Sequence, residues 1–215
     1  MRLVLVRHGE TEHNRRQVSL GRADVRLNER GIAQAKALAA SFDAAPDAVY
    51  ASPLSRARDT AAAIAGRWGV AATPDDGLIE MDVGEMEHLT SGELRERYPE
   101  FLKGWMSADR GDITMPGGSE SLRGVQHRAW ASLERIAATP AGTVVIVTHN
   151  FVILTAVCRA LNLPLAESTR IRIALAGKSV IDITKDFASL LQLNDVSHLL
   201  AAGLADDLRA REARA

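Results

Sequence analysis

Two segments constrain this chain more than any others: Leu3-Val4-Leu5-Val6-Arg7-His8, and Thr143-Val144-Val145-Ile146-Val147-Thr148-His149. Each is an aliphatic run, apolar on both alternating faces, which is the pattern of a strand covered on both sides of a parallel sheet. Each also ends directly on a histidine. Neither run is long enough to span a membrane, and the first lacks the basic flank, longer apolar core and small-residue cleavage site of a signal peptide.

Between and after these strands the pattern alternates. "LNERGIAQAKALAASF" predicts a helix capped by Asn28, with an apolar stripe of Ile32, Ala35, Leu38 and Ala39. "DAVYAS" reads as a strand, followed by a helix bracketed by Pro53 and Gly69. Thr90 and Glu93 form a capping box in a less regular middle, where short helices run through Tyr98 and Trp105 before the turn-forming "MPGGSES". Leu122, Val125, Ala129, Leu133 and Ile136 mark a clear helix, and "NFVILTAVCRALNL" another. "RIRIAL", "SVIDIT" and "ASLLQL" read as closing strands.

Alternating strands and helices predict an α/β fold: a three-layer sandwich with a mostly parallel central sheet flanked by helices. With 215 residues, 47% of them hydrophobic, the expected organisation is one catalytic domain over residues 1–200, with residues 73–118 inserted over the substrate and residues 201–215 as a fraying tail. The formal net charge is -1, and the arginines alternate with Asp and Glu without forming a basic block. A nucleic acid is therefore not expected as partner, nor is a membrane. Cys158 is the lone cysteine, so no internal disulfide can form and a cytoplasmic location is the expectation; in its apolar helix it reads as a small core residue. The apolar terminal strands allow a homodimer.

In sheets of this kind ligands bind beyond the carboxyl ends of the strands. Arg7 and His8, Arg56 and His149 all follow strand ends, so they converge on one pocket. Arginine forks match phosphate oxygens, and the free N–H groups at the helix start around Asn150 add donors; the pocket suits a phosphoryl dianion. His8, directly after a buried strand and followed by Gly9, is the candidate nucleophile. Gly9 is expected to leave its approach uncrowded and to allow unusual backbone angles. Expulsion of an alkoxide needs a proton, and Glu80 is the favoured donor, with Asp82, Glu85 and Glu87 as competing loop acids.

"LVRHGETEHN" strongly resembles the opening signature of the histidine phosphatase superfamily, the phosphoglycerate mutase-like group. The likeness continues through "GRADVRLNERG", "ASPLSRARDTA", "LIEMDVGEMEHLT", "PGGSES", "VTH" and "LNDVSHL", nearly the whole chain. It implies the mutase-like fold, His8 as the phosphorylated nucleophile, Arg7, Arg56 and His149 around the phosphoryl group, Glu80 as general acid and base, and Asn14 and Gly21 as substrate contacts. It implies no metal and no cofactor, since arginines and the second histidine neutralise the charge that Mg²⁺ neutralises elsewhere.

The chain also departs from that pattern. Met86 and His88 stand where small members have tryptophan and glycine, Asn150 and Phe151 where a glycine often follows the later histidine, and "EMDVG" where mutases read "ERHYG". Lacking that tyrosine and the longer middle of the mutases, it is expected to be a phosphatase of a small phosphorylated metabolite. A mutase and a non-catalytic phosphate-ester binding module are the alternatives. Arg58, two residues from Arg56, reads as a solvated or supporting charge, and His13, His88, His127 and His198 as surface or locally bonded histidines, with His88 the one that could line the pocket. Phe101, Trp105, Met106 and Met115 fit either a cap over the substrate or ordinary core. "AGKS" at Ala176–Ser179 is not a phosphate loop, because Arg172 replaces the required first glycine and a strand follows.

Overall fold

The computed structural model describes residues 1–118 and 120–205. Six strands form one sheet in the order β3-β2-β4-β1-β5-β6, where β1 is Arg2–Arg7, β2 Ala48–Ala51, β3 Ala72–Pro74, β4 Thr143–Thr148, β5 Lys178–Ile183 and β6 Ala188–Asp195. The first four are parallel; β5 pairs antiparallel with β1, and β6 antiparallel with β5. The α/β sandwich read from the sequence is thus present.

The two aliphatic runs are the central strands, and alternation divides their side chains between two cores. Leu3, Leu5, Val144 and Ile146 pack under α6 (Leu122–Ala137) and α7 (Asn150–Ala160). Val4, Val6, Val145 and Val147 pack under α2 (Glu29–Ala40) and α3 (Ser55–Trp68). A third cluster, including Met81, Val83, Met86 and Met115, joins the irregular middle to α6 and α7, with Phe101 and Trp105 partly buried against it. Those aromatics stack on each other at 5.5 Å, and Trp105 meets Phe151 edge-on. They serve as core, whereas Met106 is 70% exposed. Met86 is itself buried within that cluster.

Three local expectations are corrected. "RIRIAL" forms no strand: the Ile173 carbonyl accepts Arg7 Nη1 at 2.6 Å and the Ala174 amide donates to Asn194 Oδ1 at 2.7 Å, so side chains replace a ladder. Ile32 faces solvent, 47% exposed, because α2 instead turns Gly31, Gln34, Ala35, Leu38 and Ala39 inward. Gln34 is tolerated there because its Oε1 accepts the Glu10 amide and its Nε2 donates to the Leu204 carbonyl. The short edge strand β3, ending on Pro74, was not anticipated; a proline fits an edge, where no neighbour needs its N–H. Of the expected tail, residues 206–215 lie outside the described residues. No helix of the described residues is long and apolar enough to cross a membrane.

Gly9 answers to space, since its φ is not in the left-handed region. A Cβ on it would lie 2.6 Å from the Gly31 carbonyl oxygen, and one on Gly31 would strike the Glu10 backbone. Two facing glycines thus let α2 close on the loop after His8. Gly31→Ala is expected to lower stability by about 2 kcal/mol through overpacking and Tm by roughly 5 °C; an unshifted calorimetric transition would show that this contact is not tight.

Candidate active site

Strand register assembles the site. Arg2 pairs with Thr143 and Arg7 with Thr148, and the His8 amide continues the ladder to the Thr148 carbonyl at 3.0 Å. His8 and His149 therefore emerge side by side, ring centroids 5.1 Å apart. On the other flank β2 pairs Ala51 with Val147, which brings Ser52 Oγ to 2.7 Å from His149 Nε2.

The His8 ring is fixed by its Nδ1, which lies 2.7 Å from the Gly9 carbonyl. A carbonyl only accepts, so Nδ1 carries the hydrogen and Nε2 keeps its lone pair. Burial, reinforced by the charges of Arg56 and Arg7, holds the His8 pKa well below that of an ordinary histidine. His149 is lowered for the same leading reason, with Arg56 next; its Nδ1 is buried and has no partner among the described residues. Both rings are thus held neutral at pH 7, and the lone pair of His8 Nε2 is uncommitted among the described residues.

Arg56 is 1% exposed and is held by backbone: Nη1 donates to the Ala23 carbonyl at 2.9 Å and Nη2 to the Gly21 carbonyl at 2.7 Å. Its Nε is buried without a partner among the described residues. A guanidinium donates and never accepts, so this leaves a cation with unused donors beside two neutral histidines. Gly21 thus meets the site through Arg56 and does not line the cavity. Its loop is clamped by Glu87, whose carboxylate accepts the amides of Gly21, Arg22 and Ala23 at 2.6, 2.9 and 3.2 Å. Arg58 is exposed and donates to Ser55 Oγ, as a supporting charge would.

Glu80 lies in a loop between two 3-10 turns and is 4% exposed. Its carboxylate accepts the amides of Met81 at 2.8 Å and Phe151 at 3.4 Å, yet burial dominates and raises its pKa. Of the competing acids, Glu87 is committed to its clamp, Glu85 accepts the Tyr98 hydroxyl, and Asp82 caps the Gly84 amide. Asn14 spends its Oδ1 on the Thr11 amide and hydroxyl, which turns its remaining capacity into a donor.

A cavity of about 300 Å³ opens over this cluster, lined by Arg7, His8, Asn14, Glu80 and Asn150 together with side chains of the surrounding loops; Arg56 and His149 sit behind them. Asn150 is the first residue of α7, at its donor-rich end. His88 does not line it. Its backbone is left-handed, φ 66°, the conformation glycine holds most easily, and its Nδ1 shares a 3.0 Å hydrogen bond with His13 Nε2. His127 is exposed, whereas His198 is buried and bonded to the Ala176 carbonyl. Cys158 is a buried core residue whose thiol burial pushes up to about 11. Among the described residues no group of three or more His, Cys, Asp or Glu side chains could hold a metal ion.

Sequence reasoning missed the frame under Glu80. Arg128, on α6, donates to the carbonyls of Gly77, Ile79 and Glu80 and forms a fork with Glu120 at 2.6 and 3.0 Å; Glu120 in turn accepts Arg22 and the Asp82 amide. The signal available was an arginine on a helix otherwise amphipathic, too common to single out. Asp24 was missed likewise: it caps Ser55 at the start of α3, where Leu54 offers no side-chain cap.

Neutral histidines, fixed arginines and a buried carboxyl of raised pKa surround a cavity at the strand ends of an α/β sheet, an arrangement suited to phosphoryl transfer. The profile of the histidine phosphatase superfamily (branch 1) matches residues 3–196, and the chain belongs to that family. It is 35% identical over 208 residues to the metal-independent phosphoserine phosphatase of Arabidopsis thaliana, covering 94% of this chain and 84% of that one. It is 34% identical over 200 residues to the adenosylcobalamin/alpha-ribazole phosphatase of Salmonella typhimurium, covering 90% and 96%. The solved mycobacterial glucosyl-3-phosphoglycerate phosphatase with VO3 superposes with a TM-score of 0.81 at 28% identity, over 90% of this chain and 98% of that one. The expected phosphatase class and mutase-like fold stand.

Arg128→Met should leave three carbonyls and Glu120 short of a donor. It is expected to lower stability by about 2 kcal/mol and kcat by tenfold or more, because the acid-bearing loop loses its support. Chemical denaturation and steady-state kinetics read the two effects separately, and a variant with unchanged kcat would remove Arg128 from any role in positioning Glu80.

Proposed function

We propose that this protein hydrolyses the phosphate monoester of a small metabolite without a metal ion, by way of a phosphohistidine on His8, with residues 73–118 covering the substrate. The observation that carries this reading is the 2.7 Å bond from His8 Nδ1 to the Gly9 carbonyl, which reserves Nε2 for attack.

The Nε2 lone pair attacks phosphorus and the bond to the ester oxygen breaks. Glu80, whose acid form burial favours by raising its pKa, gives its proton to the departing alkoxide, so an alcohol leaves and a carboxylate remains. Water then attacks phosphorus while Glu80 takes its proton; the P–N bond breaks, and inorganic phosphate and the starting enzyme are restored. Throughout, Arg7, Arg56, His149, Asn14 and the helix start at Asn150 offer donors to the phosphoryl oxygens. The relatives named above share the monoester and differ in the alcohol, so they support the phosphoryl half of this reading.

His8→Ala should abolish phosphate release in excess EDTA; retained EDTA-resistant turnover would assign the nucleophile elsewhere. Glu80→Gln acting on p-nitrophenyl phosphate, whose leaving group needs no proton, is expected to give a burst of one nitrophenolate per enzyme and then slow turnover. The absence of a burst with normal steady-state rate would remove Glu80 from the second step.

The pH profile follows from the two directions of shift. The His8 pKa lies well below the ordinary histidine range, so kcat/KM should show no acid limb from a histidine as pH falls through that range. The acid form of Glu80 is lost as pH rises through its raised pKa, so activity should decline on the alkaline side. Glu80→Gln should flatten that limb.

A further inference from the structure

The phosphoryl end of the cavity uses every ionisable side chain that lines it. Arg7, His8 and Glu80 are the only such groups among the described residues at its wall. What remains for the leaving group is neutral: the amide of Gln17 and the hydroxyls of Ser19 and Ser91 on one part, and Val83, Leu94 and Phe151 on the other.

Gln17 stands out within this set. It holds a left-handed backbone, φ 55°, and its amide donates to the Asn14 carbonyl at 3.1 Å. A side chain with a Cβ enters that region at a cost, and such outliers are retained where the surroundings require them. Here the turn sets Gln17 at the wall of the cavity immediately after α1 (Glu12–Arg15), the helix that carries Asn14.

We propose that the leaving group is an uncharged polyol or sugar, its hydroxyls meeting Gln17, Ser19 and Ser91 and its C–H face resting on Leu94 and Phe151. A carboxylate or ammonium on the alcohol would lose water and meet no opposite charge on the part of the wall formed by Gln17, Ser19, Ser91, Leu94 and Phe151, whereas hydroxyls exchange water for amides and hydroxyls of matching strength. Phosphoserine and phosphoglycerate, each carrying a carboxylate, are therefore disfavoured, although a relative is named for the first. With about 300 Å³ shared with the phosphoryl group, the alcohol is of triose to hexose size. This inference rests on the hydrolase reading and deepens it.

The test uses the full chain in EDTA with glycerol 3-phosphate, ribose 5-phosphate and glucose 6-phosphate against 3-phosphoglycerate, O-phosphoserine and O-phosphoethanolamine. Each is measured for phosphate release and as a competitor of p-nitrophenyl phosphate. At least one uncharged ester is expected to exceed every charged one by about tenfold or more in kcat/KM, or in inhibition constant where turnover is slow. Gln17→Arg is expected to shift the ratio of 3-phosphoglycerate to glycerol 3-phosphate toward the carboxylate by about tenfold. A charged ester equal to or better than all neutral ones overturns the proposal while leaving the hydrolase intact. No hydrolysis of p-nitrophenyl phosphate, or hydrolysis undiminished in His8→Ala, overturns the hydrolase reading and this inference with it.

Discussion

Parallel pairing of β1 with β4 in a single register is the constraint on which the rest depends. It sets Arg7 opposite Thr148 and so delivers His8 and His149 to the same level of the sheet. Slipping one strand by one residue would invert its faces, exchanging Leu3 and Leu5 with Val4 and Val6 between two cores of different shape. The positions of the two imidazoles are therefore defended by the whole hydrophobic interior, with no dedicated contact between them.

Around that pair, charge is managed by backbone more than by counter-ions. Carbonyls of Gly21 and Ala23 hold Arg56, and the Ile173 carbonyl holds Arg7. A neutral acceptor orients a cation without cancelling it, so the arginines keep their attraction for a dianion. The carboxylates stand one step back, Glu87 on the amides that shape the Arg56 loop and Glu120 on Arg128. Burial then does opposite things to the two kinds of titratable group, lowering the histidine pKa values and raising that of Glu80, so that each is pushed toward its neutral form.

What was legible in the sequence was local or positional. The strands announced themselves by aliphatic runs, α2 by its side-chain cap at Asn28, α6 by its apolar stripe, and the convergence of Arg7, His8, Arg56 and His149 by their places at strand ends. Glu80 was separable from its neighbours only through the family signature, since no periodic pattern marks a loop acid. The frame of Arg128, Glu120, Glu87 and Asp24 was illegible because each acts on backbone far away in sequence, and a hydrogen bond to a carbonyl leaves no trace in residue type. "RIRIAL" misled for the converse reason: its alternation is real, but Arg7 and Asn194 claim backbone groups that a ladder would have used.

The topology also has a temporal meaning. β1 precedes the other five strands in the chain and lies with β4 at the centre of the sheet, bonded on one side to residues from Thr143 and on the other to residues up to Asp182. Its apolar segment must wait, unpaired, until most of the chain has emerged, and closing so large a loop is slow. His8 at its end can thus acquire its buried surroundings only late in synthesis. A nascent chain truncated before β4 would carry His8 and Arg56 but lack His149 and the strand whose pairing sets the two histidines side by side.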